Sequence, residues 1–113
     1  FENNLDSDIA KKILKMMQTV VDSGTAKRAK LEKYSVAGKT GTVRIIKDGK
    51  YKKDSHLAVF VGITPVSDPE YVTAVIVRNP KDGPASGGKN AAPIFKEFMS
   101  HSLNLLQVYP DRK

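Results

Sequence analysis

The sequence contains no cysteine, which excludes disulfides, thiolate metal sites and a cysteine nucleophile within it. Its two histidines, His56 and His101, stand alone without a neighbouring His, Asp or Glu at ligand spacing, so neither reads as a metal ligand. Asp6-Ser7-Asp8 lacks the glycine and closing glutamate of a calcium loop and reads instead as a helix cap. No apolar stretch approaches the ~20 residues of a membrane span. Phe1-Glu2-Asn3-Asn4 has neither the basic start nor the apolar run of a signal peptide. Gly-x-Gly patterns for dinucleotides, internal repeats and low-complexity tracts are also missing, and no cofactor is expected.

What is present begins with charge. The chain has 113 residues, 40% of them hydrophobic, enough by length for one modest core, and a net charge of +7. Residues 27–53 hold ten Lys or Arg (Lys27, Arg28, Lys30, Lys33, Lys39, Arg44, Lys47, Lys50, Lys52 and Lys53) against Glu32 and Asp48, so the surplus sits in one segment. Such a field attracts anions. Hairpin lysines that protect an exposed edge from aggregation give the simpler account. A basic nucleic-acid-binding module is an alternative, but only Tyr34 and Tyr51 lie nearby to stack on bases.

Along the chain, Ser7 to Val21 reads as a helix capped by Asp6 or Ser7. Ile9, Ile13, Met16 or Met17, and Val20 form its apolar stripe, and the methionines are expected in the core. Asp22-Ser23-Gly24 stops it. A strand is expected over Ser35–Ile46, a turn at Asp48-Gly49, a strand over His56–Ile63, a turn over Pro65–Pro69 and a strand over Tyr71–Val77. The last two are continuous apolar runs, which implies cover on both faces. A glycine-rich loop from Asp82 to Gly88 leads to a final helix with Pro93 in its first turn. Ile94, Phe98, His101 or Ser102, and Leu105 are expected to face the sheet. One helix covers one face only, so two buried faces call for more protein than 113 residues supply.

The chemistry is concentrated in Val36-Ala37-Gly38-Lys39-Thr40-Gly41-Thr42-Val43. Two glycines inside a strand weaken it unless something approaches the backbone there. A ligand lying along this edge would meet the Lys39 ammonium, the Thr40 and Thr42 hydroxyls, and N–H groups left open at Gly41. Gly-Lys-Thr also ends a phosphate-binding loop, the second alternative. That loop needs a glycine at position 33, where a lysine stands, and a helix where Val43-Arg44-Ile45-Ile46 favours extended structure.

Lys39-Thr40-Gly41-Thr42, preceded by Val36-Ala37-Gly38, resembles the Lys-Thr-Gly box of the penicillin-recognising serine transferases. Met16-Met17, then Gly24-Thr25-Ala26, then Tyr34 resemble the run-in to that box in class B penicillin-binding proteins. Gly62-Ile63-Thr64-Pro65, Gly87-Gly88 and Ala92-Pro93-Ile94-Phe95 continue the resemblance downstream, and the closing Leu103-Asn104-Leu105-Leu106 with Pro110-Asp111 is similar to the end of the cell-division, penicillin-binding-protein-3 branch. The resemblance covers nearly the whole chain.

It implies an α/β (α+β) fold, antiparallel strands flanked by helices, forming the C-terminal portion of one transpeptidase domain over residues 1–113. The activity implied is serine-type D-Ala-D-Ala transpeptidation of peptidoglycan in septum formation, with acylation by β-lactams. Lys39 and Thr42 would be catalytic, and Thr40, Gly41 and Thr42 substrate-binding. The nucleophile's S-x-x-K and the S-x-N belong before the box. Ser86-Gly87-Gly88-Lys89, read as a loop, and Ser102-Leu103-Asn104, inside the last helix, follow it and are chance matches. This chain alone is therefore expected to be inactive. Its implied partners are stem peptides, β-lactams, the remainder of the same protein and division-complex membrane proteins, with no nucleic acid. The implied location is the periplasmic face of the bacterial inner membrane, with the parent protein anchored there.

Overall fold

The computed structural model describes residues 4–81 and 83–113. The leader reading at residues 1–3 and Asp82 of the glycine-rich loop lie outside the described residues, as do the side chains of Lys52, Lys53 and Asp54.

Helix α1 spans Ser7–Asp22, and the Asp6 carboxylate accepts from the Asp8 N–H at 2.8 Å to cap it. A basic connector with one short 3-10 turn at Lys27–Ala29 leads to strand β1, Ala37–Lys47. Asp48 and Gly49, both at positive φ (54° and 75°), make the tight reversal into β2, Lys50–Thr64. Strand β3, Tyr71–Arg78, pairs back on Leu57 to Thr64, giving a three-stranded antiparallel sheet in the order β1-β2-β3. The far part of the β1-β2 hairpin therefore runs beyond β3 as a two-stranded ribbon, with an irregularity between Arg44 and Ile46. A π-type turn at Gly87–Ala91 runs into helix α2, Ala92–Leu105, with Pro93 in the first turn.

The strands alternate between two faces. Ala58, Phe60 and Thr64 of β2 are fully buried on the side of α2, where Phe60 and Phe95 meet edge to face at 4.9 Å and 72°. Met99, Leu103, Val36, Val21 and Tyr34 also belong to this core. Helix α1 lies over the other face, and a groove between them is lined by Ala10, Leu14, Ile63 and Val72.

Both helices are rotated from the expected faces. On α2 the buried stripe is Ala92, Phe95, Met99 and Leu103, while Ile94, Phe98, His101 and Leu105 are exposed. Both stripes have helical spacing, and the one carrying the Phe95 ring packs on Phe60. On α1 only Val21 is fully buried, with Ala10, Leu14 and Met17 partly so, and Ile9, Ile13 and Met16 stand out to solvent. Met16, expected in the core, is 63% exposed. Cover on both faces is likewise incomplete over β3, where Val72 and Ile76 are 71% and 63% exposed. The Cα radius of gyration, 15.4 Å, exceeds the roughly 13 Å of a compact domain this long.

Candidate active site

Strand β1 is an edge of the described sheet, so one side of its backbone has no strand partner among the described residues. Gly38, Thr40 and Thr42 stand opposite Gly62, Phe60 and Ala58, on the α2 face; Lys39 and Gly41 stand opposite Val61 and Val59, on the α1 face. The four predicted site residues are thus consecutive along one edge, with the cation on one side and the hydroxyls on the other. Lys39 is exposed, and its ammonium donates to the Thr40 carbonyl at 3.0 Å. Thr40 is half-buried, its hydroxyl 3.3 Å from that of Thr25. Thr42 is exposed.

The two glycines of the motif serve different purposes. A Cβ on Gly38 would collide with the Phe60 ring and stand 2.8 Å from the Val61 carbonyl oxygen, so what approaches the backbone there is the core. A Cβ on Gly41 would meet only Val59 at 3.8 Å, so the α1 face of the strand is open at that position. On the opposite face Gly87 is pressed against the Val59 carbonyl, and its own Cβ would stand 3.0 Å from the Gly41 N and O. The turn before α2 therefore backs the Gly41 peptide. Beside it opens a polar recess of about 320 Å³ whose lining includes Thr25, Lys27, Arg28, Ser86 and Lys89.

Ser86-Gly87-Gly88-Lys89 is not the loop expected. Ser86 is the extended residue before the π-type turn, and Gly87 to Lys89 are helical within it, with the Ser86 N–H donating to the Asn90 side chain at 2.8 Å. Ser102 and Asn104 lie inside α2 as expected. The segment after Gly38 is strand as far as Lys47, so Gly-Lys-Thr does not open a helix and the phosphate-loop alternative falls away. Arg44 lies 5.1 Å over the Tyr51 ring, which assigns that cation to the ribbon.

The run-in to β1 is held by distant partners that the sequence does not announce. The Tyr34 hydroxyl donates to the Val108 carbonyl at 2.9 Å, and the Lys33 carbonyl accepts from the Arg112 N–H at 3.1 Å. The Asp111 carboxylate accepts from the Ser35 N–H at 2.7 Å, from the Ser35 hydroxyl, and from the Ser67 hydroxyl at 2.8 Å. Partial burial pushes the Asp111 carboxyl up, but the Ser35 and Ser67 hydrogen bonds outweigh it and hold the group below the ordinary carboxylate range. Nothing in the local pattern around Ser35 announces this partner, which lies 76 residues away.

An edge strand with Lys-Thr-Gly-Thr along it, backed by a glycine turn and a C-terminal helix, agrees with the family that the sequence resembles. The chain belongs to the penicillin binding protein transpeptidase domain family, whose model matches residues 2–100. Stage V sporulation protein D of Bacillus subtilis is 42% identical over 106 residues, which make up 94% of this chain and 16% of that protein. A probable peptidoglycan D,D-transpeptidase PenA of Neisseria flavescens is 35% identical over 109 residues, 96% of this chain and 27% of that protein. Among solved structures, the transpeptidase domain of Burkholderia pseudomallei penicillin-binding protein 3 aligns with a TM-score of 0.81 at 32% identity, over 94% of this chain and 32% of that one. Penicillin-binding protein 3 of Mycobacterium tuberculosis complexed with ampicillin aligns with a TM-score of 0.79 at 28% identity, over 96% and 26%. The chain thus spans under a third of each of these relatives.

Proposed function

We propose that this chain supplies the Lys-Thr-Gly edge of a peptidoglycan D,D-transpeptidase of the cell-division type, and that residues 1–113 are the C-terminal part of one transpeptidase domain. The observation that carries the reading is the unpartnered edge of β1, with open space over Gly41, Lys39 on one face and Thr40 and Thr42 on the other. A serine on the remainder of the protein attacks the carbonyl between the two D-alanines of a stem peptide. Terminal D-alanine leaves with a proton, and the amine of a neighbouring stem resolves the acyl-enzyme into a crosslink, returning the serine. In this reading Thr40 and Thr42 hold the terminal carboxylate, which β-lactams mimic. Lys39 assists proton movement and anion recognition, and Gly41 leaves the approach clear. The Thr42 N–H donates to the developing oxyanion, where a fixed donor has its greatest effect.

The apolar surface left bare on β3 and α1 supports the view that the rest of the domain packs there. No described helix is long and apolar enough to cross a membrane. A membrane anchor and the division-complex contacts would lie elsewhere in the protein, with this part at the periplasmic face of the inner membrane.

The test is covalent labelling by a fluorescent penicillin on a denaturing gel. The complete protein is expected to label and the isolated 113-residue chain is not. Failure of the complete protein to label refutes the transpeptidase reading, and labelling of the isolated chain at Ser86 would show that the nucleophile is here after all.

A further inference from the structure

The residues that lead into the motif strand are bound one after another by the segment that follows α2. Lys33 accepts from the Arg112 N–H, Tyr34 donates to the Val108 carbonyl, and Ser35 gives both its N–H and its hydroxyl to Asp111. Ser35 has no polar group to spare: its hydroxyl oxygen also accepts from the Val66 N–H at 2.8 Å, and its carbonyl accepts from the Thr64 hydroxyl at 2.8 Å. Ser67 brings the β2-β3 turn to the same carboxylate. The Arg112 guanidinium reaches Asp22 at the end of α1, 3.3 Å away. Segment 108–112 therefore gathers the end of α1, the run-in to β1 and the β2-β3 turn at one point, four residues before Lys39.

That point is where control of β1 is needed. An edge strand has neighbours on one side only, and Gly38 and Gly41 give it no side chains to lock against the sheet. Because side chains alternate, a slip or roll of one residue would exchange the faces of Lys39 and Thr40. A carboxylate receiving donors from two separate segments is a strong and directional anchor.

We propose that segment 108–112 is the positioning device for the Lys-Thr-Gly edge, and that Asp111 is a positioning residue for acylation, acting through Ser35 and touching no substrate. The inference rests on the transpeptidase reading for its catalytic consequence but not for the anchor itself.

The experiment uses the complete protein, with Asp111→Ala, Asp111→Asn and Ser35→Ala. Two quantities are measured: the second-order rate of acylation by a chromogenic β-lactam, and amide hydrogen exchange by peptide. Asp111→Ala is expected to slow acylation about tenfold or more and to speed exchange over residues 36–42 by a similar factor, with exchange over 95–103 of α2 unchanged. Asp111→Asn keeps an acceptor for the Ser35 N–H and should recover most of both losses, and combining Ser35→Ala with Asp111→Ala should add little to either alone. Wild-type acylation with unchanged exchange over 36–42 overturns the proposal. So does exchange raised equally over 36–42 and 95–103, which would mean general destabilisation. A wild-type protein that does not react with the β-lactam refutes the transpeptidase reading, and the exchange measurement still decides whether Asp111 pins β1.

Discussion

The Phe60 ring occupies the space that a Cβ on Gly38 would need, whereas three residues on, at Gly41, the same strand leaves that space empty. One motif thus contains a glycine required by the core and a glycine with open space before it, and substitutions separate them.

Gly38→Ala is expected to destabilise the complete domain by about 1–3 kcal/mol, the usual cost of overpacking a filled core. Gly41→Val should leave the unfolding midpoint nearly unchanged, since a β-branched side chain suits an edge strand. It should nonetheless lower β-lactam acylation at least about tenfold by occupying the approach path. Equal stability losses for the two variants would contradict the division of labour.

Gly87→Ala should combine both effects. The added methyl meets backbone atoms of Val59 and Gly41 rather than a movable side chain, so the turn and the strand must part. Thermal unfolding and acylation measured on the same preparation are expected to fall together, unlike the pattern for Gly41→Val.

Lys39 and the ribbon lysines differ in place, and salt distinguishes them. Lys39→Ala should reduce acylation by about a hundredfold or more, the scale of losing a group aimed at developing charge. Neutralising Lys47 and Lys50, exposed where the ribbon reverses, should change it less than about tenfold. That smaller effect should fade as ionic strength rises. A double variant more damaging than Lys39→Ala would move the functional surface to the ribbon.

The Asp111 anchor has a pH signature. Its carboxyl is held below its unfolded value, near about 3.9, by hydrogen bonds from Ser35 and Ser67 that outweigh the opposing effect of burial. The sign follows: the stabilisation is complete above the unfolded value and is lost as pH falls through the lower folded value. The stability difference between wild type and Asp111→Asn should therefore be flat above about pH 5 and shrink below about pH 4. Urea midpoints across this range measure it, and a difference that grows on acidification would reverse the assigned direction.

Strands, turns and the order of elements were legible in the sequence because each has a local cause: β-branched runs, the Asp48-Gly49 reversal, the Asp6 cap. The motif strand was legible for the same reason, and it lies at an edge of the described sheet. The inward faces of the helices were not. On α2, Ile94, Phe98 and Leu105 repeat as helically as Phe95, Met99 and Leu103, and only the position of the Phe60 ring decides between them. The anchoring of Ser35 was not legible either, because its partner is an aspartate 76 residues away, a relation that exists only once the chain is folded. Paired glycines usually signal a loop, whereas Gly87 and Gly88 allow a helical turn to lie on bare backbone.

The exposed Val72 and Ile76 of β3 determine where stability can be measured. If the rest of the domain covers them, their energetic value is held in common between two parts of the protein and is absent from either part alone. Ile76→Ala should then be nearly silent in this chain by itself, yet cost about 2–5 kcal/mol in the complete domain, as for any buried isoleucine. A mutational survey made on the isolated chain would rank such positions as tolerant, and the ranking would invert once the sheet acquired its second cover.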